Sequence, residues 1–255
     1  MSLFGSAPNK KRTVSPRGFR PRLTARSPFA IKEAYNSIRT KLIFTGKGEK
    51  CPIFVVTSPF AANGKSTNAV SLAVSFAAAE QRVLLIDADM RKPTVHRYFG
   101  LECRNGLSEL LAGLTSEINL RRTDSEYLSV LTAGQIPPNP AELLGSKQAK
   151  QLLDYARQHF DYVIIDTPPI NLVTDASVLA EQVTGYVLVV QSGKTRQVDV
   201  RAALSALREV NATIVGLLLN DPNNKARERY SYRHNKAYRS EQYAYSNDNG
   251  MKRDL

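Results

Sequence analysis

Apolar and polar positions alternate in blocks along this chain, and the blocks predict its elements. Six short runs rich in Val, Ile and Leu read as strands: Ile53 to Val56, Arg82 to Ile86, Tyr127 to Leu131, Tyr162 to Ile165, Gly185 to Gln191 and Thr213 to Asn220. Between them, apolar residues recur at helical spacing. Ile31, Ala34, Tyr35, Ile38 and Leu42 predict a helix over Ile31 to Phe44 with charges on its other faces. A second, almost wholly apolar helix is predicted over Lys65 to Gln81, and others over Ser146 to His159 and Arg196 to Val210. Weaker helical pieces fall around Pro93 to Tyr98 and Gly106 to Leu114. Ala133 to Leu144 is expected to be a rigid loop, because Pro137, Pro138 and Pro140 oppose both helix and ladder. Thr174 or Asp175 is expected to cap a following helix. Strands alternating with helices, without internal repeats, define an α/β fold with a doubly wound, mostly parallel sheet flanked by helices. Such sheets bind ligands at the carboxyl ends of their strands.

The strand ends carry the candidate chemistry. Ile53 to Val56 runs into a polar loop, Thr57 to Asn63, and then Gly64-Lys65-Ser66-Thr67 opens a helix. Loop amides and a helix N-terminus face an anion, a lysine neutralises terminal phosphate charge, and a serine hydroxyl can ligate magnesium. The usual first glycine of this pattern, six residues before the lysine, is Pro59 here. Asp87 and Asp89 end the second strand on the same side by alternation; two carboxylates there can hold magnesium and accept a proton, or cap the following turn. Asp166 ends the Tyr162 strand as either a second magnesium anchor or a strand-end cap. Asn220 ends the last strand, where an adenine edge or turn chemistry accounts for it equally.

At 255 residues the chain allows one large α/β domain or two small ones. It has no apolar run of the ~20 residues a membrane span needs, and no export signal, so a cytoplasmic location is expected. Cys51 and Cys103 lack metal-ligand spacing and are expected to be free thiols. The net charge of +12 suggests a nucleic-acid partner until it is located. Residues 1–28 hold seven Lys or Arg and no acid, while 222–255 hold eight basic and four acidic residues, leaving the body almost neutral. A specific nucleic-acid groove is therefore not expected. The N-terminal tail reads as disordered and solvated, with attraction to anionic lipid as the sharper reading. Five of the eleven tyrosines, Tyr230, Tyr232, Tyr238, Tyr243 and Tyr245, fall in the last 26 residues, among basic and polar neighbours. That flexible tail suits single-stranded nucleic acid or a role as phosphate acceptor.

Taken together, these motifs resemble the bacterial tyrosine kinases, cytoplasmic ATP-dependent kinases associated with capsule and exopolysaccharide production, over residues 30–250. The resemblance rests on Ser58 with Gly64 to Thr67 (Walker A), Leu85 to Pro93 (Walker A′), Val163 to Pro169 (Walker B), the Pro-Pro-Asn-Pro segment and the tyrosine cluster. The paired acids and that cluster separate it from partitioning and septum-placement ATPases. So does the absence of a second lysine early in the loop. The resemblance implies a P-loop NTPase fold and ATP with Mg2+ as cofactors. Ser58, Ala62, Asn63, Gly64, Lys65, Ser66, Thr67 and Asn220 would bind nucleotide, and Ser66, Asp89 and Asp166 would organise the metal. Asp87 would be the base for the incoming tyrosine, the two acids being interchangeable. Lys65, Asp87 and Asp89 form the catalytic set. The tail tyrosines would be autophosphorylated in a neighbouring subunit of a homo-oligomeric ring held through Glu33 and Arg39, with Asn36 where the family has a further arginine. Implied partners are a separate transmembrane activator of the polysaccharide co-polymerase type, which recruits the kinase to the inner face of the membrane, and a cognate phosphotyrosine phosphatase. Ala61 and Ala62 replace the family's proline and glycine, placing an alanine where a positive φ is expected. The competing readings are a switch ATPase and a catalytically silent module of the polysaccharide machinery.

Overall fold

The computed structural model describes residues 22–220; the tyrosine cluster and most of the basic N-terminal tail lie outside the described residues. A seven-stranded sheet is built from β1 (Ile53–Thr57), β2 (Val83–Asp87), β3 (Arg121–Arg122), β4 (Leu128–Leu131), β5 (Tyr162–Asp166), β6 (Gly185–Gln191) and β7 (Ile214–Asn220). Its spatial order is β3-β4-β2-β5-β1-β6-β7, parallel throughout except that β3 runs antiparallel to β4. β1, β2 and most of β5 are buried along their length because helices cover both faces, and that is why they read as unbroken apolar runs.

Alternation splits the core in two. Phe54 and Val56 pack with α1 (Phe29–Thr45), α2 (Lys65–Ala77) and α3 (Val95–Phe99) on one face. On the other, Ile53 and Val55 pack with α4 (Leu107–Leu111), α5 (Pro140–Leu144), α6 (Lys147–His159) and α7 (Gln197–Glu209). α6 opens as its sequence suggests: the Ser146 hydroxyl accepts from the Ala149 amide at 3.2 Å.

Several elements differ from expectation for identifiable reasons. The Pro-rich stretch is not loop throughout, because Pro140 occupies the first turn of α5, where a missing N–H costs nothing. α2 stops at Ala77 rather than Gln81, and the chain turns through Glu80 at φ 59°. Asp175 caps no helix: a 3-10 turn, Ser177–Gln182, begins after Ala176, with the Thr174 carbonyl accepting from Ser177. The ordered body starts before residue 29. Leu23 is buried, its amide donates to Ser71 Oγ at 3.3 Å, and Arg22 pairs with Asp124 at 2.8 Å while lying over the Phe99 ring. One apolar side chain thus anchors a segment whose charges had marked it as solvated.

Glu109 fastens the loop beyond β4. Its carboxylate accepts from the amides of Asn105, Gly106 and Gln135 and from the Ser108 hydroxyl, at 2.8–3.2 Å. Burial works to raise its pKa, but these donors outweigh burial and hold it below the ordinary carboxylate value. A lowered folded-state pKa contributes stability that is complete above the unfolded value and is lost as pH falls through the folded one. Glu109→Gln is therefore expected to lose about 1–3 kcal/mol at neutral pH and to flatten the acid limb of a stability profile measured by urea unfolding. An unchanged acid limb would reject this role.

Candidate active site

β1 delivers the chain to the phosphate-loop sequence, and the loop is braced by its own side chains. Ser58 Oγ donates to the Phe60 carbonyl at 2.8 Å, and the Phe60 amide donates to Asn63 Oδ1 at 3.1 Å. Asn63 Nδ2 in turn donates to Thr195 Oγ1 at 2.8 Å. From the last strand, Asn220 Nδ2 donates to the Asn63 carbonyl at 3.0 Å, so this amide supports the loop. Gly64 turns the chain at φ 90° and α2 begins without a side-chain cap, leaving its first amides for an anion. Ala62 does adopt a positive φ, 62°, at a cost of about 1–2 kcal/mol for a residue with a Cβ. Behind the loop, Tyr35 of α1 donates to Asn68 Oδ1 at 2.8 Å and Asn68 Nδ2 donates to the Gly64 carbonyl at 2.8 Å.

Parallel pairing sets β2 beside β5, with Asp87 opposite Asp166, and brings the acids together. Lys65 reaches into them. Its Nζ lies 2.7 Å from Asp89 Oδ2, 3.4 Å from Asp166 Oδ1 and 3.1 Å from Ser66 Oγ. Burial opposes the lysine's charge, yet Asp166 and Asp89 together hold its pKa above the ordinary value. Asp166 has no exposed surface, and burial raises its pKa.

The two acids of the Asp-Ala-Asp box part company. Asp89 lines the cavity, its other oxygen accepting from the Lys92 amide at 3.0 Å. Asp87 is wholly buried behind it and accepts from the amides of Thr94 and Val95, at 3.1 and 2.9 Å, where α3 begins. Burial, then the nearby Asp166, push Asp87 up to about 8. Both acids thus accept from backbone amides of the segment that follows, and only Asp89 also contacts Lys65 and lines the cavity; the shared side expected from alternation ends because β2 stops at Asp87.

A cavity of about 340 Å³ opens over these groups, between the loop, the segment after β2 and the segment after β5. Sequence reasoning missed its far side. Arg91 forms a two-pronged ion pair with Asp175, at 3.0 and 2.9 Å, tying those two segments together. The only signal in the sequence was an arginine two residues beyond the acid box. Oxygen donors suit magnesium, and the residues present fit it: Asp166 Oδ2 is buried without a hydrogen-bond partner, beside Ser66 and Asp89. Of the expected ring residues, Glu33 is exposed and accepts from Asn36 Nδ2 at 2.9 Å. Arg39 is half-buried and donates to the Ser75 carbonyl and hydroxyl of α2.

A mostly parallel sheet with a glycine-lysine-serine loop after β1, Asp166 at the end of the neighbouring β5 and the acid box after β2 on the far side of β5 defines a phosphate-loop NTPase. A family model described as an AAA domain matches residues 61–214. The tyrosine-protein kinase YwqD of Bacillus subtilis is 42% identical over 201 residues, 78% of this chain and 85% of that protein. The putative tyrosine-protein kinase CapB of Staphylococcus aureus is 37% identical over 214 residues, 83% of this chain and 91% of that one. Among solved structures, the kinase domain of the Escherichia coli tyrosine kinase ETK superposes with a TM-score of 0.71 at 35% identity, covering 75% of this chain and 76% of that one. The chain belongs to the bacterial tyrosine kinases: it is a P-loop enzyme that transfers phosphate from ATP to protein tyrosine. Among the described residues no helix is long and apolar enough to cross a membrane.

Proposed function

We propose that this kinase phosphorylates its own tyrosines Tyr230, Tyr232, Tyr238, Tyr243 and Tyr245, one copy acting on another. The observation that carries the reading is the Lys65 ammonium held between Asp89 and Asp166 at the floor of the cavity. A cation so placed receives the terminal phosphate of ATP, while the amides from Ala62 to Thr67 hold the phosphate chain. Magnesium, when bound by Ser66, Asp89 and Asp166, would neutralise phosphate charge. The phenolic oxygen attacks the γ-phosphorus, the bond from phosphorus to the β–γ bridging oxygen breaks, and ADP departs with that oxygen. The phenolic proton passes to a carboxylate of the acid box. With Asp89 on the metal, Asp87 is the proposed base: its Oδ2 is held by the amides of Thr94 and Val95 while its buried Oδ1 has no hydrogen-bond partner, and the two acids can exchange these roles.

The same reading places the enzyme in regulation of capsule or exopolysaccharide production. A separate membrane-spanning activator would bring it to the inner face of the membrane and stimulate it, and a phosphotyrosine phosphatase would reset it. Each tail phosphate adds about −1.5 to −2 charges, which opposes redocking and loosens the proposed ring through Glu33 and Arg39. Arg39 must leave Ser75 to take part in that ring.

Intact-mass analysis of the full chain with Mg-ATP, with and without the activator's cytoplasmic segment, tests the reading. Additions of one phosphate mass each are expected, mapping between Tyr230 and Tyr245 and increasing with the activator. ATP turnover without any phosphotyrosine would instead make this a switch ATPase.

A further inference from the structure

We propose that the apolar outer wall of the cavity, Pro169, Leu172 and Val173, receives the aromatic ring of the acceptor tyrosine, and that Arg91 positions this wall through Asp175. The inference rests on the kinase reading above and assigns that site its acceptor half.

The two ends of the nucleotide site can be told apart. Asn220, braced on the Asn63 carbonyl, stands on the β7 side of the loop. Lys65 leans the opposite way, toward Asp89 and Asp166 after β2 and β5. The terminal phosphate follows the lysine, so whatever lies past it on the β2–β5 side meets the transferring group. Pro169, Leu172 and Val173, from the segment after β5, line the same cavity as Lys65 and Asp89. Leu172 is 57% exposed, a large apolar side chain standing at the rim beside charged groups. A tyrosine ring needs such an apolar face together with a polar partner for its hydroxyl. Polar groups are at hand: Asp89 lines the same cavity, as does Thr94, whose Oγ1 is buried without a hydrogen-bond partner.

The wall is a turn tied at its near end to the phosphate loop, where the Ile170 amide donates to the Ser58 carbonyl at 2.9 Å, and at its far end to the segment after β2 by one ion pair. Asp175, fully buried, lies three residues beyond Leu172, and both its oxygens are held by the Arg91 guanidinium. The planar fork of arginine fixes orientation as well as distance, which a lysine does not. Arg91 is therefore a positioning residue: it aligns the acceptor wall with the loop that carries Asp89. A ring seated there also excludes water from the transferring phosphoryl group.

The test uses the full chain with Mg-ATP and a synthetic peptide of residues 226–247, following phosphate on the peptide by mass. Leu172→Asp is expected to raise the peptide KM about tenfold while ATP affinity, measured separately by titration calorimetry, stays within twofold. Leu172→Phe is expected to keep KM near the starting value. Arg91→Gln is expected to raise KM and lower kcat together, with Arg91→Lys recovering only part of either. An unchanged peptide KM in Leu172→Asp would overturn the assignment, as would an equal loss in ATP affinity, which would give the wall to the nucleotide. If the starting protein binds ATP but phosphorylates neither peptide nor tail, even with the activator's cytoplasmic segment added, the kinase reading itself fails and the acceptor wall falls with it.

Discussion

Lys65→Met is expected to lower phosphoryl transfer at least about a thousandfold, since preorganised charge at the transferring group supplies much of such catalysis. The same change should also weaken the nucleotide-free fold. Lys65 is the cation bonded to Asp89 and Asp166 in a region where Asp87 and Asp166 have no exposed surface. Removing one partner of a buried ionic group costs about 3–5 kcal/mol because the other charges stay behind. Methionine has nearly the shape of lysine, so packing contributes little to the difference. Acid relieves the loss: without the ammonium the buried carboxylates take up protons at a higher pH, so the deficit should be largest near pH 8 and shrink toward pH 5. Urea unfolding at the two pH values, beside a phosphotyrosine assay, separates the effects. Retention of more than about one per cent of transfer would contradict the electrostatic role. A deficit independent of pH would show that packing, not charge, was lost.

Gly64→Ala is expected to reduce ATP affinity by tenfold or more. The residue sits at φ 90°, ψ 15°, which strains any side chain. A Cβ there would lie 2.2 Å from Asn220 Nδ2, the atom that donates to the Asn63 carbonyl. Asn220 would have to rotate away, and the loop would lose its tie to β7. A broken hydrogen bond of this type costs about 0.5–1.5 kcal/mol, and a strained φ about 1–2 kcal/mol more. Because the amides that hold phosphate follow this glycine directly, the damage should appear first in nucleotide binding. Calorimetric titration with ATP measures it, and full affinity in the variant would mean that the loop tolerates the displaced asparagine. Ala62 marks the contrast: its φ of 62° lies at the centre of the left-handed region, where alanine is strained but fits.

The legible parts of this protein were those encoded locally. Apolar runs ending in Asp87 and Asp166, and the spacing of Gly64, Lys65 and Ser66, placed strands, loop and acids before any contact was known. Parallel pairing then put Asp89 and Asp166 on Lys65, because strand ends on one side of such a sheet converge. What depended on distant partners did not show. Arg91 and Asp175 are 84 positions apart, and neither side chain signals the other. Arg121–Arg122 is a strand only through its pairing with Val130 and Ser129, since two arginines carry no strand pattern. Asp87 looked like the equal of Asp89; two residues past the strand end were enough to turn Asp89 toward Lys65 while Asp87 faces the start of α3. Likewise α1 showed its apolar stripe but not that Arg39 would be taken by the Ser75 carbonyl of α2.

The order of strands in the sheet also governs how this protein comes into being. β1, which launches the phosphate loop, is flanked by β5 and β6 rather than by its neighbours in sequence. Its closing contact, Thr57 to the Pro168 carbonyl, spans 111 positions. Such distant contacts must overcome loop-closure entropy before they stabilise anything, which slows folding. During synthesis the loop and its lysine leave the ribosome long before the strands that shape them. A nascent chain halted ahead of β5 therefore has the binding sequence without the binding site. The ability to hold ATP arrives late, once β5 and β6 have paired with β1.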